Sequence, residues 1–256
     1  MAEHDHGPGE NEYSEFHIDM NSLLTHVLTG SRKFTPEEDK AMESPQHPDV
    51  FLVCCIDSRF QPDKALDYGP GVTLEYRPIS AVIPPPEEAD AALLSRMAFR
   101  RLKDVRNFVI IAHSDCGGAQ AAINIPAPDL KAGGDLDIVA NEAHRTGLDI
   151  GKLAPEFLKA ANGDVKEAGN HLAHEIGVQS LKNLVQYKGR DKFATIADEI
   201  KAGEANAVLL YYDLDTHKVD KYDLSTGTWS QVTDYKPAPN PATPPAPPKP
   251  AAPPAM

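Results

Sequence analysis

Two short segments of the chain carry side chains that could hold a metal ion. Cys55 opens the sequence CIDSR at 55–59, and His113 and Cys116 belong to HSDCGG at 113–118. Two thiolates and an imidazole suit zinc, whereas magnesium and calcium prefer oxygen ligands. Structural zinc sites usually have four protein ligands, and a site with three keeps one position open for catalysis. The residue types therefore predict one catalytic zinc ion bound by Cys55, His113 and Cys116.

Asp57 and Arg59 follow Cys55 at a spacing that places both side chains on one face of an extended chain. An arginine fork can hold a carboxylate through two hydrogen bonds and keep it ionised. An aspartate held in this way beside zinc could accept a hydrogen bond from a zinc-bound hydroxide and orient it. The alternative is an ordinary surface ion pair, which contributes about 0–1 kcal/mol to stability. The position directly after Cys55 favours a catalytic dyad.

Short apolar runs predict the strands that must position these side chains. The runs cover 50–54, 72–76, 108–112, 207–212 and, after a turn, 219–224. Ligands bind beyond the carboxyl ends of parallel strands, so neighbouring first and third strands would bring Cys55, His113 and Cys116 to one point. Successive side chains on a strand point to opposite faces, and we therefore expect Cys54 to be a small core residue.

Helical periodicity fills the segments between these runs. In 87–102 the apolar residues at helical spacing are Leu94, Ala98 and Leu102, with Leu93 and Met97 beside them. This pattern predicts one apolar helix face against the sheet. A second helix is predicted within 169–187, and short helices with loops within 124–168. The alternation predicts an α/β fold: a mainly parallel sheet of four strands plus an antiparallel edge strand, flanked by helices.

The two ends of the chain differ from the rest in composition. Residues 1–15 are polar and acidic, and we expect a flexible polar arm. Residues 236–256 are rich in proline and alanine, with the sequence KPAPNPATPPAPPKPAAPPAM. Proline removes backbone donors and fixes φ, which predicts an extended, disordered tail. The tail is either a spacer or a ligand for an unknown partner that binds proline-rich segments.

The charge balance and the cysteine content limit which kinds of binding partner and which cellular compartment we expect. Lys+Arg is 25 and Asp+Glu is 38, and the formal net charge of −13 argues against nucleic acid or an anionic membrane surface as main partner. The chain has no run of about 18 apolar residues, and its first residues, MAEHDHGPGENEYSEF, lack the features of a secretory signal. Three cysteines suit a reducing compartment. We therefore expect a cytoplasmic protein.

The two motifs together resemble the signature of the beta-class carbonic anhydrases, in which Cys-x-Asp-Ser-Arg is followed by His-x-x-Cys-Gly-Gly. They stand here as CIDSR at 55–59 and HSDCGG at 113–118. Weaker similarities to the family cover 23–34, 68–78, 174–185 and 210–224. The similar zinc domain spans about residues 16–235. The chain departs from the family at 78–81, where PISA replaces the usual asparagine and small residues, and at Ala112, where glycine is common.

As the resemblance implies, the protein would be a carbonic anhydrase that hydrates carbon dioxide reversibly to bicarbonate. Cys55, His113 and Cys116 would bind one Zn²⁺ per subunit, and Asp57 and Arg59 would form the catalytic dyad. The resemblance also implies a homodimer or an assembly of dimers, with the site near the subunit interface. In some members the aspartate moves onto the zinc, so Asp57 could be a fourth ligand in a resting form. Two thiolate ligands predict activity that favours alkaline pH.

Two other functions stay open at this point. The same ligands would serve an enzyme that hydrolyses carbonyl sulfide or carbon disulfide, although Ser58 keeps the commoner carbonic anhydrase signature. The non-enzymatic alternative is a zinc-stabilised binding protein that recruits partners through its proline-rich tail. That alternative leaves Asp57 and Arg59 unexplained, so the sequence favours the hydration of carbon dioxide.

Overall fold

The computed structural model describes residues 35–43 and 45–233. The predicted arm at 1–15 and the predicted tail at 236–256 lie outside the described residues, and both stay predictions. The same holds for the segment 23–34, which resembles the family's N-terminal helix. Within the described ranges, no helix combines the length and the apolar character that crossing a membrane requires.

A mixed sheet lies at the centre of the described structure. Its strands are β1 (Val50–Cys54), β2 (Thr73–Tyr76), β3 (Asn107–His113), β4 (Asn206–Tyr212), β5 (Val219–Asp223) and β6 (Thr228–Gln231). The order across the sheet is β2-β1-β3-β4-β5-β6. The pairs among β1, β2, β3 and β4 are parallel, and β5 and β6 pair antiparallel. β1 and β3 are continuous apolar runs because both faces of these strands are buried.

The predicted mainly parallel α/β sheet is confirmed, and its antiparallel part is larger than expected. The predicted strand at 219–224 is β5, and it pairs antiparallel with β4. The edge strand beyond it is β6, which the sequence did not predict. β6 has the sequence TWSQ, and Trp229 is its only residue that is not exposed. A strand this short and polar gives no apolar run and no clear alternation in the sequence.

Among the described residues, one helix precedes β1 and the others occupy the connections between the parallel strands. They are α1 (Pro36–Glu43), α2 (Pro62–Ala65), α3 (Ala91–Leu102), α4 (Gly117–Asn124), α5 (Asp135–His144), α6 (Ile150–Ala160), α7 (Val165–Leu184) and α8 (Ile196–Lys201). The second predicted helix is α7, and the short helices expected within 124–168 are α5 and α6. α3 begins later than predicted, because Pro86 starts a separate 3-10 turn and Asp90 caps the helix by accepting a hydrogen bond from the Leu93 N–H.

The face of α3 that packs against the sheet differs from the predicted one. Leu93 and Met97 are buried, whereas Leu94 and Leu102 are 49% and 82% exposed. The predicted core face is therefore confirmed at Leu93 and Met97 and wrong at Leu94 and Leu102. The buried face also includes Arg100, whose Nη1 pairs with the buried Glu199 carboxylate at 3.3 Å. Because the charged Arg100 lies on the buried face, the apolar pattern alone placed the centre of that face too far toward Leu94 and Leu102.

The alternation along β1 separates its two neighbouring cysteines. Cys54 is fully buried and packs with Leu52, Phe60 and Ile111. Cys55 belongs to a different apolar cluster, on the side of the sheet that α4 covers. Burial raises the pKa of the Cys54 thiol to about 12. The prediction that Cys54 is a core residue is confirmed, and its thiol is protonated at neutral pH.

Candidate metal centre

The register between β1 and β3 brings the three predicted metal ligands together. Cys54 at the end of β1 lies opposite Ile111 in β3, so the carboxyl ends of both strands reach the same edge of the sheet. Cys55 directly follows β1, His113 ends β3, and Cys116 precedes the first residue of α4. Their ligand atoms all lie within 4.8 Å of one another, and all three residues are buried. These three residues could therefore hold a metal ion.

His113 has a ring nitrogen, Nε2, that is available to bind a metal. Its Nδ1 lies 2.8 Å from the carbonyl oxygen of Ser114, and because a carbonyl only accepts, Nδ1–H is the donor. This bond leaves the lone pair on Nε2, which is buried and has no hydrogen-bond partner among the described residues. A buried acceptor without a partner is costly. A metal ion at Nε2 would satisfy it, and the bond at Nδ1 would fix the ring orientation.

One of the two cysteines carries the negative charge that a cation needs, and the other can lose its proton when a metal binds. Their Sγ atoms are 3.9 Å apart. The hydrogen bond from Cys55 lowers the pKa of Cys116 despite burial, with a further contribution from His113, and the same pairing raises the pKa of Cys55. Cys116 also lies at the N-terminus of α4, where the helix dipole favours a thiolate. Sulfur, sulfur and imidazole nitrogen form a donor set that fits zinc.

Asp57 and Arg59 form a two-point contact beside the cysteine and histidine ligands. The Arg59 Nε donates to Asp57 Oδ1 at 3.1 Å, and Nη2 donates to Asp57 Oδ2 at 2.7 Å. The Arg59 backbone N–H adds a third bond, to Oδ1 at 2.9 Å. These hydrogen bonds lower the pKa of Asp57 below its ordinary value, against the opposing effect of burial. Asp57 is therefore an ionised, oriented carboxylate at neutral pH.

Arg59 has a second acidic partner, Asp115, which the sequence analysis did not single out. Arg59 Nη1 donates to Asp115 Oδ2 at 2.6 Å, and Nη2 donates to the Asp115 carbonyl at 2.7 Å. Asp115 itself is held by Gln120, which donates to Oδ1 at 2.7 Å, and by Asn170, which accepts from its N–H at 2.8 Å. Asp115 lies between His113 and Cys116 in the sequence. This position was the signal that could have identified it, because a residue between two predicted ligands must lie close to the site.

Arg77 fixes the loop that carries Cys55 and Asp57, a role that the sequence did not reveal. The loop follows β1, and Arg77 directly follows the neighbouring strand β2. Its guanidinium donates to the Cys55 carbonyl at 3.0 and 3.1 Å, to the Asp57 carbonyl at 3.0 Å and to the Phe60 carbonyl at 2.9 Å. One side chain therefore binds three backbone carbonyls and sets the path of the site loop.

Comparison with known proteins places this arrangement in a family. The family model described as carbonic anhydrase matches residues 50–219, which is more than half of the chain. Beta carbonic anhydrase 6 of Arabidopsis thaliana, named as mitochondrial, is 26% identical over 213 residues, covering 76% of this chain and 64% of that protein. The chain therefore spans less than two thirds of the length of this curated relative.

Solved structures share the fold. The beta-carbonic anhydrase CcaA has a TM-score of 0.69 at 18% identity, with 84% of this chain and 92% of that chain covered. A structure from a study of two tetrameric beta-carbonic anhydrases of Sordaria macrospora has a TM-score of 0.56 at 22% identity, with 82% and 94% covered. Identities this low bear on the fold alone. With the family model matched from β1 through the start of β5, the chain belongs to the beta carbonic anhydrase family.

Proposed function

We propose that this protein catalyses the reversible hydration of carbon dioxide to bicarbonate, with one zinc ion per subunit bound by Cys55, His113 and Cys116. The observation that carries the proposal is the meeting of three buried ligand atoms within 4.8 Å, in a chain whose Asp57 and Arg59 form a two-point ion pair beside them. A purely structural zinc site would need a fourth protein ligand. The described residues offer three ligands here.

Zinc, when bound, supplies a nucleophile near neutral pH by lowering the pKa of the water that it binds. The chain would hold the cation through two sulfur atoms and Nε2 of His113, and the Nδ1–H bond to the Ser114 carbonyl keeps the ring in one tautomer. Burial of all three ligands excludes bulk water from the sulfur atoms. The ligand atoms would therefore stay free of competing water when a zinc ion is bound.

Asp57 positions the attacking group. Since Arg59 keeps the Asp57 carboxylate ionised, its free lone pairs can only accept hydrogen bonds. A nucleophile with a proton to donate is oriented by this carboxylate, and a species without such a proton is disfavoured. Carbon dioxide would accept the oxygen of the attacking water at carbon and become bicarbonate, and the proton lost by that water would leave to buffer.

Stopped-flow hydration of carbon dioxide tests the proposal, with zinc content measured on every sample. We expect wild-type protein to hold one zinc ion per subunit and to accelerate hydration. Asp57→Ala should retain zinc and lose activity by about 100-fold, because the nucleophile is no longer oriented. Asp191→Ala, which removes an exposed carboxylate remote from the site, is the matched control and should keep wild-type activity.

The same assay gives the pH dependence. Two thiolates supply more negative charge to the metal than imidazoles would, so the attacking water loses its proton at higher pH and the rate should rise from about pH 6 to about pH 9. The pKa of Asp57 is lowered, so this carboxylate is ionised throughout that range and does not cause the rise. A flat profile would contradict the proposed nucleophile. Rapid turnover of carbonyl sulfide with negligible hydration of carbon dioxide would show that carbonyl sulfide, and not carbon dioxide, is the substrate.

The assembly and the compartment are part of the same proposal. A homodimer or an assembly of dimers follows from the family resemblance, and the Sordaria macrospora proteins with this fold are tetrameric. A cytoplasmic location rests on the three cysteines, which a reducing compartment suits. The Arabidopsis relative is named as mitochondrial, so subcellular fractionation is the measurement that decides.

A further inference from the structure

We propose that Ser80 is a positioning residue of the metal site, whose hydroxyl donates a hydrogen bond to the Cys116 thiolate and thereby holds and tunes that ligand. The inference rests on the proposed zinc site. Ser80 lies in the 3-10 turn Ile79–Ala81, which follows β2 and sits within the stretch where the chain departs from the family pattern.

Ser80 contacts both sulfur atoms. Its backbone N–H donates to Cys55 Sγ at 3.2 Å, and its Oγ lies 3.4 Å from Cys116 Sγ. A thiolate that binds a metal has no proton, so the hydroxyl is the donor in the second contact. One buried residue therefore supports two of the three ligands, from a segment that supplies no ligand itself.

The backbone at Ser80 gives a second, independent argument. Ser80 has φ of 57° and Ala81 has φ of 56°, and both residues are buried. This left-handed region favours glycine, because a Cβ atom approaches the neighbouring carbonyl there. Strain of this kind persists where the surroundings fix the conformation, and it concentrates at functional sites. Glycine would adopt this backbone conformation with less strain. The group that serine adds here is its hydroxyl, which makes the contact with Cys116.

The start of α4 leaves room for this contact. A Cβ atom at Gly118 would collide with Ser80 Oγ and with Ile79 Cγ2. Gly118 follows Cys116 by two residues, so the absence of a side chain there lets the Ser80 turn approach the thiolate. The sequence Cys-Gly-Gly therefore leaves space for the Ser80 hydroxyl and also begins the helix.

The hydrogen bond has a measurable consequence for a bound metal. A donor to a thiolate orients the sulfur and withdraws electron density from it, and loss of such a supporting contact typically costs 10–100-fold in metal affinity. Without the hydroxyl, the sulfur is less well fixed, which favours release of the metal, and its lone pairs are higher in energy, which lowers the energy of charge transfer to the metal. We therefore expect faster loss of zinc, and in cobalt-substituted protein a shift of the thiolate-to-cobalt charge-transfer band to longer wavelength.

The test compares zinc-loaded full-length wild type with three variants, by the rate of zinc transfer to a coloured chelator and by the cobalt spectrum. Ser80→Ala removes the hydroxyl and keeps the strained backbone. Ser80→Gly removes the hydroxyl and relieves the strain, so it folds even if Ser80→Ala does not. Ala81→Gly relieves strain at the adjacent position, keeps the hydroxyl and is the matched control.

The expected result is zinc release about 10-fold faster in both Ser80 variants, with the band shifted, and wild-type behaviour in Ala81→Gly. Wild-type release rates and an unshifted band in both Ser80 variants would overturn the inference while leaving the zinc site intact. Fast release in Ser80→Gly and Ala81→Gly but not in Ser80→Ala would assign the effect to the backbone and overturn it too. A wild type that binds no zinc would instead contradict the proposed function.

Discussion

Arg59 donates to two carboxylates at once, and this arrangement determines how firmly Asp57 is held. Burial alone would raise the pKa of Asp115, but the bonds from Arg59 and Gln120 lower it. Asp115 is therefore a second charged anchor of the guanidinium, and Nη2 of Arg59 contacts both Asp57 and Asp115. The proposed dyad is part of a chain of contacts in which Gln120 holds Asp115, Asp115 holds Arg59, and Arg59 holds Asp57.

Asp115→Asn tests this chain of contacts. Asparagine tolerates the positive φ of 54° at this position, so the backbone should keep its path. The loss of charge weakens the hold on Arg59, and we expect kcat/KM to fall about 10-fold with zinc content unchanged, a smaller loss than in Asp57→Ala. Asp104→Asn is the control, because Asp104 also has positive φ and pairs with arginines, at the amino ends of the strands. Equal activity in Asp115→Asn and wild type would show that Arg59 needs only one carboxylate.

At the scale of elements, α3 shows how tertiary structure selects a helix face. Leu93 is fully buried beneath the helix, and its neighbour Leu94 is about half exposed. Arg100 lies on the buried side, where its guanidinium packs over the Phe108 ring at 4.9 Å and pairs with Glu199. The buried ion pair fixes the rotation of the helix about its axis.

Substitutions at two adjacent residues of α3 test which face of the helix is buried. Leu93→Ala should lower the free energy of unfolding by about 2–5 kcal/mol, because it leaves a cavity in the core. Leu94→Ala should change it by about 0.5 kcal/mol or less in the isolated subunit, because that side chain faces solvent. Urea denaturation of both variants gives the two values. A larger loss in Leu94→Ala than in Leu93→Ala would contradict the observed orientation of α3.

The sequence predicted the strands and motifs that have a distinct composition. It did not identify residues whose role depends on contacts formed in the folded protein. β1 and β3 were readable because strands buried on both faces are largely apolar runs. The two motifs placed Cys55, His113 and Cys116 at the ends of these neighbouring strands. Ser80 was not identified, because nothing in a serine reveals a left-handed backbone conformation. Arg77 was not identified either, since its role depends on three carbonyl groups that only the folded loop directs toward it.

The whole molecule carries a formal net charge of −13, which affects how copies associate. Like charges repel over a distance set by the ionic strength. If the protein forms the proposed dimer, repulsion between subunits opposes assembly most strongly at low salt. Salt should therefore favour the assembled form.

Light scattering during size-exclusion chromatography measures this directly. We expect a mass of twice 27.8 kDa, or a multiple of that dimer, at physiological ionic strength, with a larger monomer fraction at low ionic strength. Glutamine at an exposed acidic position such as Glu175, which lies outside the described ion pairs, is a variant that should reduce the salt dependence slightly. A mass of 27.8 kDa under all conditions would exclude the dimer and leave the subunit as the working unit.

The order of the strands also has a consequence for the way the chain reaches its native state. Cys55 and Cys116 are 61 residues apart, whereas Asn107 of β3 meets Asn206 of β4 across 99 residues. Loop closure over such separations is slow compared with local helix formation. All three proposed zinc ligands are present in the growing polypeptide well before β4 is synthesised. We therefore expect the metal to be captured early by the pairing of β1 with β3, and the second half of the chain to complete its burial.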